Sequence, residues 1–165
     1  SIIVENTESD ILKIRYTANK KPNLYVLSIG TQTNLQYTVQ DAKDFAIENG
    51  KDTALAEFND GNGSFIQNDL YIFAYDYNGT VLAWPYRPDQ IGVNRMNATD
   101  IVGISHVKAF LDKAKSGGGI TDYYSVNPFT NLTDLKISYV QDIDGTWMIG
   151  AGEYIGPGEL VLRKL

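Results

Sequence analysis

Lys136 is the residue whose type and position most need explaining. It lies inside the strand-prone run Leu135-Lys-Ile-Ser-Tyr139, with Leu135 and Ile137 on either side. An ammonium so placed must either carry its charge along its stem to water or find an anion, and a ligand carboxylate is one anion that would serve. Other residues of suitable chemistry recur along the chain. Trp84 ends a strand just before a loop holding Arg87 and Arg95, and Tyr124 lies on a later strand. Eleven Tyr and two Trp offer rings with polar edges, the material from which small-molecule pockets are walled.

Catalytic arrangements have weaker support. The chain has no Cys and a single His, which leaves almost no route to a nucleophile–base pair or a transition-metal cluster. His106 falls at the start of a helix, where an exposed, solubilising role is expected. Asp142 and Asp144 belong to a turn and are explained by turn formation. The run Asp60-Gly-Asn62-Gly-Ser64 begins like a calcium loop, but Phe65 and Tyr71 occupy the sixth and twelfth positions, where Gly and Glu are needed. Gly117-Gly-Gly119 follows a helix, so it presents no helix N-terminal amides to a phosphate. A hydrolase would have to use Asp100 or Glu153, and it would need one of them in a cleft with a strongly raised pKa.

The elements that must position these groups are legible from periodicity. Thr38 followed by Asp41 reads as a capping-box-like start, and Val39, Ala42, Phe45 and Ala46 make one apolar face before Asn49-Gly50. A second short helix is expected over about 52–58. A third starts near Ser105, with Val107, Phe110, Leu111 and Ala114 at i, i+3, i+4 and i+7, and stops at Gly117. Strands are expected over 70–77, 80–84, 120–126, 135–141 and 146–154, with Asn78-Gly79 as a two-residue hairpin turn and Asp144-Gly145 as another. These add up to an α+β domain built on an antiparallel five-stranded sheet with flanking helices on one side. Leu12-Lys-Ile-Arg-Tyr16 matches Leu135-Lys-Ile-Ser-Tyr139, and Leu24 to Gly30 parallels Thr146 to Gly152. Residues 11–30 therefore read either as a hairpin closing a preceding, truncated unit or as an unrelated N-terminal β-hairpin. The organisation expected is a segment over 1–37 and a domain over 38–165.

The order of these pieces resembles the single-Cache, PAS-like family of extracytoplasmic sensor domains. It comprises Ala54-Leu-Ala-Glu-Phe58, the hairpin ending in Trp84-Pro85, Gly92-Val-Asn-Arg95, Asp100 with Gly103, the helix to Ser116, Tyr123-Tyr124, Asn127-Pro128, Lys136-Ile-Ser-Tyr139, Gly145-Thr-Trp147 and Gly150-Ala-Gly-Glu-Tyr154. The resemblance covers about 38–154. It implies a pocket between the sheet and the loops crossing it, for a carboxylate, amino acid, amine or similar metabolite, with no cofactor. By position it implicates Tyr75, Trp84, Arg87, Asn94, Arg95, Tyr124, Lys136 and Tyr139. Gly150 and Gly152, on one face of the last strand, would leave room for a ligand or for close packing. Trp84 replaces the His that many relatives carry before this Pro, which favours a flatter or more apolar ligand. The helix at Thr38 is shorter than the family's usual membrane-rising helix, which suits a tandem or distal module.

Composition narrows the partners. The 165 residues carry a net charge of −6 with scattered Lys and Arg, so no basic face is offered to nucleic acid. No apolar run approaches the length of a membrane span. Sequons stand at Asn62, Asn78, Asn97 and Asn131. The function expected is a non-enzymatic, extracytoplasmic small-molecule sensor reporting to a signalling module outside this chain, such as a histidine kinase or chemoreceptor. The competing expectation is a structural or adhesive module of a tandem surface array.

Overall fold

A computed structural model describes residues 2–6, 11–16, 29–155 and 159–163, with side-chain surroundings from 34 to 155. In chain order the elements are β1 (Ile2–Asn6), β2 (Ile11–Tyr16), α1 (Ile29–Asn49), α2 (Lys51–Asn59), β3 (Ile72–Asp76) and β4 (Val81–Ala83). They continue with α3 (His106–Lys115), β5 (Gly119–Val126), β6 (Thr133–Asp142), β7 (Trp147–Ile155) and β8 (Glu159–Arg163). Five strands form an antiparallel sheet in the order β4-β3-β7-β6-β5. A separate three-stranded sheet, β1-β2-β8, joins the two ends of the chain.

The main sheet is covered on both faces, which is why β3 is buried from Ile72 to Tyr75 and only Asp76 at its end is partly exposed. Ile72 and Ala74 join Ile137, Tyr139, Ile149 and Ala151 against α1 and α2. Tyr71, Phe73 and Tyr75 point the other way, towards Val107, Phe110 and Leu111 of α3. The helices are thus divided between the two faces, not gathered on one. The apolar stripe of α3 is the one expected, and it is short enough to leave part of its face of the sheet to loops.

Two local expectations are corrected. The first helix starts at Ile29, not Thr38, because Leu35 continues the buried stripe of Val39, Ala42 and Ala46 one turn upstream. Thr38 sits inside the helix with its hydroxyl donating to the Asn34 carbonyl at 3.0 Å, so it caps nothing and the helix is long, not short. The second strand of the expected 11–30 hairpin, Leu24 to Gly30, lies outside the described residues over 24–28, but Ile29 and Gly30 open α1 and are not strand, while β2 pairs with β1 and β8. The turn at Asn78-Gly79 has three residues, not two. The Asp76 N–H donates to the Thr80 carbonyl at 3.0 Å, and Gly79 takes φ +86°, a left-handed conformation that glycine adopts without penalty.

Candidate functional site

On the α3 face, where the helix stops short of covering the sheet, a cavity of about 460 Å³ opens. Its floor is the alternate residues Tyr71, Phe73 and Tyr75 of the β3 segment together with Lys136 and Tyr123; Trp84, Arg95, Asp100 and His106 complete its sides. The volume lies within the range of small-molecule sites.

Lys136 is only 1% exposed. Its Nζ donates to the Tyr71 hydroxyl at 2.9 Å and stands 4.0 and 4.7 Å from the ring centroids of Tyr71 and Tyr154. Among the described residues no carboxylate lies within ion-pair distance of it. Burial lowers its pKa, partly opposed by Tyr154. The stem reaches this place because β7 is bare beneath it: a Cβ on Gly152 would stand 3.0 Å from Lys136 Cε and 2.6 Å from the Ile137 carbonyl. Gly150 does the same for Phe73 and Val140. The room these glycines leave is filled by packing, and Gly152 is what lets the lysine cross from β6 towards Tyr71. From Tyr71 the contacts continue to the Tyr154 hydroxyl at 3.2 Å and from Tyr154 to the Val126 carbonyl at 3.1 Å.

A second cation enters from the loop after β4. That loop is clamped to the strand by Gly92 N–H on the Val81 carbonyl and Arg95 N–H on the Gly79 carbonyl, at 2.9 and 2.8 Å. Arg95 lies over the Trp84 ring at 5.4 Å, gives one guanidinium nitrogen to Gln90 at 2.7 Å, and keeps a buried Nε with no partner. It lies beside Tyr75, whose hydroxyl burial nevertheless pushes up to about 12. Arg87 also lies over Trp84, at 5.7 Å, but its fork is spent on Asp89 at 2.8 and 2.9 Å.

His106 is a correction. It is buried, not solvating the helix end: its ring stacks on Tyr123 at 5.2 Å and 7° and leans on Phe110 at 5.7 Å. Position 106 precedes Phe110 by four residues, so it continues the inward stripe of α3. Burial lowers its pKa, with Arg95 adding to the effect, and Nδ1 has no partner. Asp100 is the acid of the cavity. Burial works against its charge, but the backbone N–H groups of Tyr124, Ile104 and Val102 outweigh it and the pKa is lowered.

Of the eight residues singled out in the sequence, Tyr75, Trp84, Arg87, Arg95, Tyr124 and Lys136 line this cavity. Asn94 and Tyr139 do not. The Asn94 side chain is occupied by the Asn78 carbonyl and the Met96 N–H, locking the turn beside β4. Tyr139 is three residues from Lys136 on one strand, so the pleat turns it to the α1 face. The tyrosine directly opposite Lys136 is Tyr123, not Tyr124. The reasoning from sequence missed Tyr71, Phe73, Tyr123 and His106; the alternation of β3 and the i, i+4 step to Phe110 were the available signals.

Residues 5–157 match the Cache domain family. Solved structures with the same fold include a methyl-accepting chemotaxis protein from Vibrio parahaemolyticus, 19% identical, with a TM-score of 0.69 over 76% of this chain and 89% of that one. A Cache chemosensory domain described for its carboxylic acid recognition is 21% identical, with a TM-score of 0.69 over 77% and 95%. The periplasmic sensor domain of a chemotaxis protein is 19% identical, with a TM-score of 0.60 over 77% and 92%. At these identities the likeness is one of fold. No curated protein matches the chain.

Proposed function

Because the chain belongs to the Cache domain family, we propose that it is an extracytoplasmic sensor whose cavity binds a small carboxylate through Lys136. The supporting observation is the lysine itself: a fully buried ammonium, held by the neutral tyrosines Tyr71 and Tyr154 and facing a cavity. Burying an unpaired charge is costly, and an incoming carboxylate offsets that cost with a charge-assisted hydrogen bond. Tyr71 and Tyr154 keep the ammonium in place before the ligand arrives, so little ordering remains to be done on binding.

Asp100 argues against amines and amino acids as the preferred ligands. It is the only acid lining the cavity among the described residues, and three backbone N–H groups already occupy its oxygens, out of roughly four acceptor positions. An ammonium would find little free acceptor capacity, whereas a carboxylate meets Lys136, Arg95 and the tyrosine hydroxyls.

Signalling then follows as a population shift. Contacts made with both the sheet and the 84–95 loop favour whichever arrangement of the loop brings Arg95 inward. The tyrosine pair also links Lys136 to the Val126 carbonyl and to the far end of β7, which gives occupancy a physical route towards the end of the domain. A downstream module, in a chemoreceptor or histidine kinase, would read that change.

The test is a thermal-shift screen against carboxylates, amines and amino acids. A ligand at about 100 times its dissociation constant adds roughly 2.7 kcal/mol, or about 5–10 °C for a domain of this size. Carboxylates are expected to shift the wild type and not Lys136→Met. A shift by amines alone, or carboxylate shifts that survive Lys136→Met, would refute the assignment.

A further inference from the structure

Lys136 is not the only cation with unused donor capacity on this cavity, and the two meet it beside different tyrosines of one strand segment. Lys136 reaches Tyr71, while Arg95 lies beside Tyr75 and over Trp84. Tyr71 and Tyr75 are four residues apart on one face of the same strand segment, about 13 Å along it. Between them the wall is mostly aromatic: Phe73 lies midway, with Phe110 at 5.2 Å from its ring and Tyr123 at 4.8 Å from Phe110, and His106 packed on both of the latter. Arg87 offers no third anchor, since Asp89 occupies its fork.

Taking Lys136 as the carboxylate anchor proposed above, we infer that the preferred ligand is a small dicarboxylate with an apolar middle, one carboxylate on Lys136 and the other on Arg95. Arg95 carries the argument for the second head. Its Nε is buried and without a partner, which is costly in an empty cavity and is relieved by an acceptor arriving there. The single acid lining the cavity is already held by backbone N–H groups, and Asp69, whose charge favours the Lys136 ammonium, is not within ion-pair distance of it. Taking that backbone spacing as the distance between the two cations and allowing about 2.8 Å for each charge-assisted contact leaves roughly 7 Å between the two carboxylates. At about 1.5 Å per bond along a zigzag chain, a diacid of about four to six carbons spans that gap, as does a diacid on one aromatic ring. The wall of Phe73, Phe110 and Tyr123 then meets carbon and not hydroxyl groups.

Isothermal titration of the wild type with succinate, adipate and terephthalate, each beside its monoacid (butyrate, hexanoate, benzoate), reads the second anchor directly. At least one diacid is expected to bind about ten-fold or more tightly than its monoacid, the worth of one further charge-assisted contact. Arg95→Gln is expected to remove the diacid's advantage, bringing the diacid-to-monoacid ratio down to about one. The wild-type ratio needs no variant, so it decides whether or not Arg95→Gln is stable. If monoacids bind as tightly as every diacid, the second anchor is refuted and the carboxylate reading stands. A diacid preference that survives in a folded Arg95→Gln refutes the role given to Arg95. If neither class binds, both readings fail together.

Discussion

Lys136→Met should make the unliganded protein more stable while abolishing its response to ligand. Methionine matches the lysine stem in length and flexibility, so it fills the path over Gly152 without a cavity, and its sulfur packs well against Tyr71 and Tyr154. What is lost is one hydrogen bond to the Tyr71 hydroxyl, worth about 1 kcal/mol, and the attraction of the ammonium to the rings, worth up to about 2 kcal/mol. Tyr71 is not orphaned, because it retains Tyr154 at 3.2 Å. What is relieved is the desolvation of a buried ammonium, several kcal/mol even after relaxation. The balance is a gain of about 1–3 kcal/mol, or roughly 2–10 °C in Tm for a domain of this size. The gain also has a pH signature. The folded-state pKa of Lys136 is lowered below its ordinary value, so between the two the unfolded chain binds the extra proton and stability rises with pH. Below the folded-state pKa the whole cost of burying the charge is present, so the advantage of Lys136→Met is largest there and shrinks towards pH 10. Thermal unfolding of both proteins across pH 6–10, without ligand, is the assay. A variant several degrees less stable than the wild type at pH 7 would mean the ammonium is already well paired in the empty protein, and the carboxylate reading would lose its support.

Other substitutions test separate parts of the site. Gly152→Ala places a methyl against the Ile137 carbonyl and the Ser138 hydroxyl; it should cost about 1–3 kcal/mol and, in chemical denaturation and binding assays, weaken carboxylate affinity more than Gly145→Ala does. His106 has a lowered folded-state pKa, so the unfolded chain takes up the proton first and stability falls as pH drops below about 6.5. His106→Phe, which keeps the stacking on Tyr123, should flatten the Tm profile between pH 7 and 5, and an unchanged slope would place that titration elsewhere. Asp100→Asn turns one acceptor oxygen into a donor facing backbone N–H groups, costing about 1–3 kcal/mol; hydrogen exchange at Val102, Ile104 and Tyr124 should speed up while the core of β6 and β7 stays protected. Tyr154→Phe removes the link between Tyr71 and the Val126 carbonyl, and should leave ligand affinity within about three-fold while changing exchange at 126–132 on ligand binding.

What the sequence determined by itself was local. Alternation in the β3 segment and the i, i+4 stripe of α3 record which backbone periods bury apolar side chains, and they placed strands and helices close to where they lie. Lys136 stood out because a charge within a run of Leu and Ile needs a reason wherever the run folds. What only the tertiary structure decided was which of those side chains meet. Lys136 and Tyr71 are 65 residues apart, and their contact depends on strand order, on the register of β6 against β7, and on Gly152, whose missing side chain clears the path. Tyr139 sat on the wrong side of that logic because a pleated strand reverses face at every residue. Asn94 has a side chain suited to a ligand, but the turn it locks had already used its hydrogen bonds. Burial of His106 likewise followed from the direction in which α3 docks, and a helix end reads the same in sequence whether it faces water or a sheet. The family resemblance supplied the existence of a pocket; the two-cation geometry came from packing, because the distance between charges belongs to a folded sheet and not to a chain.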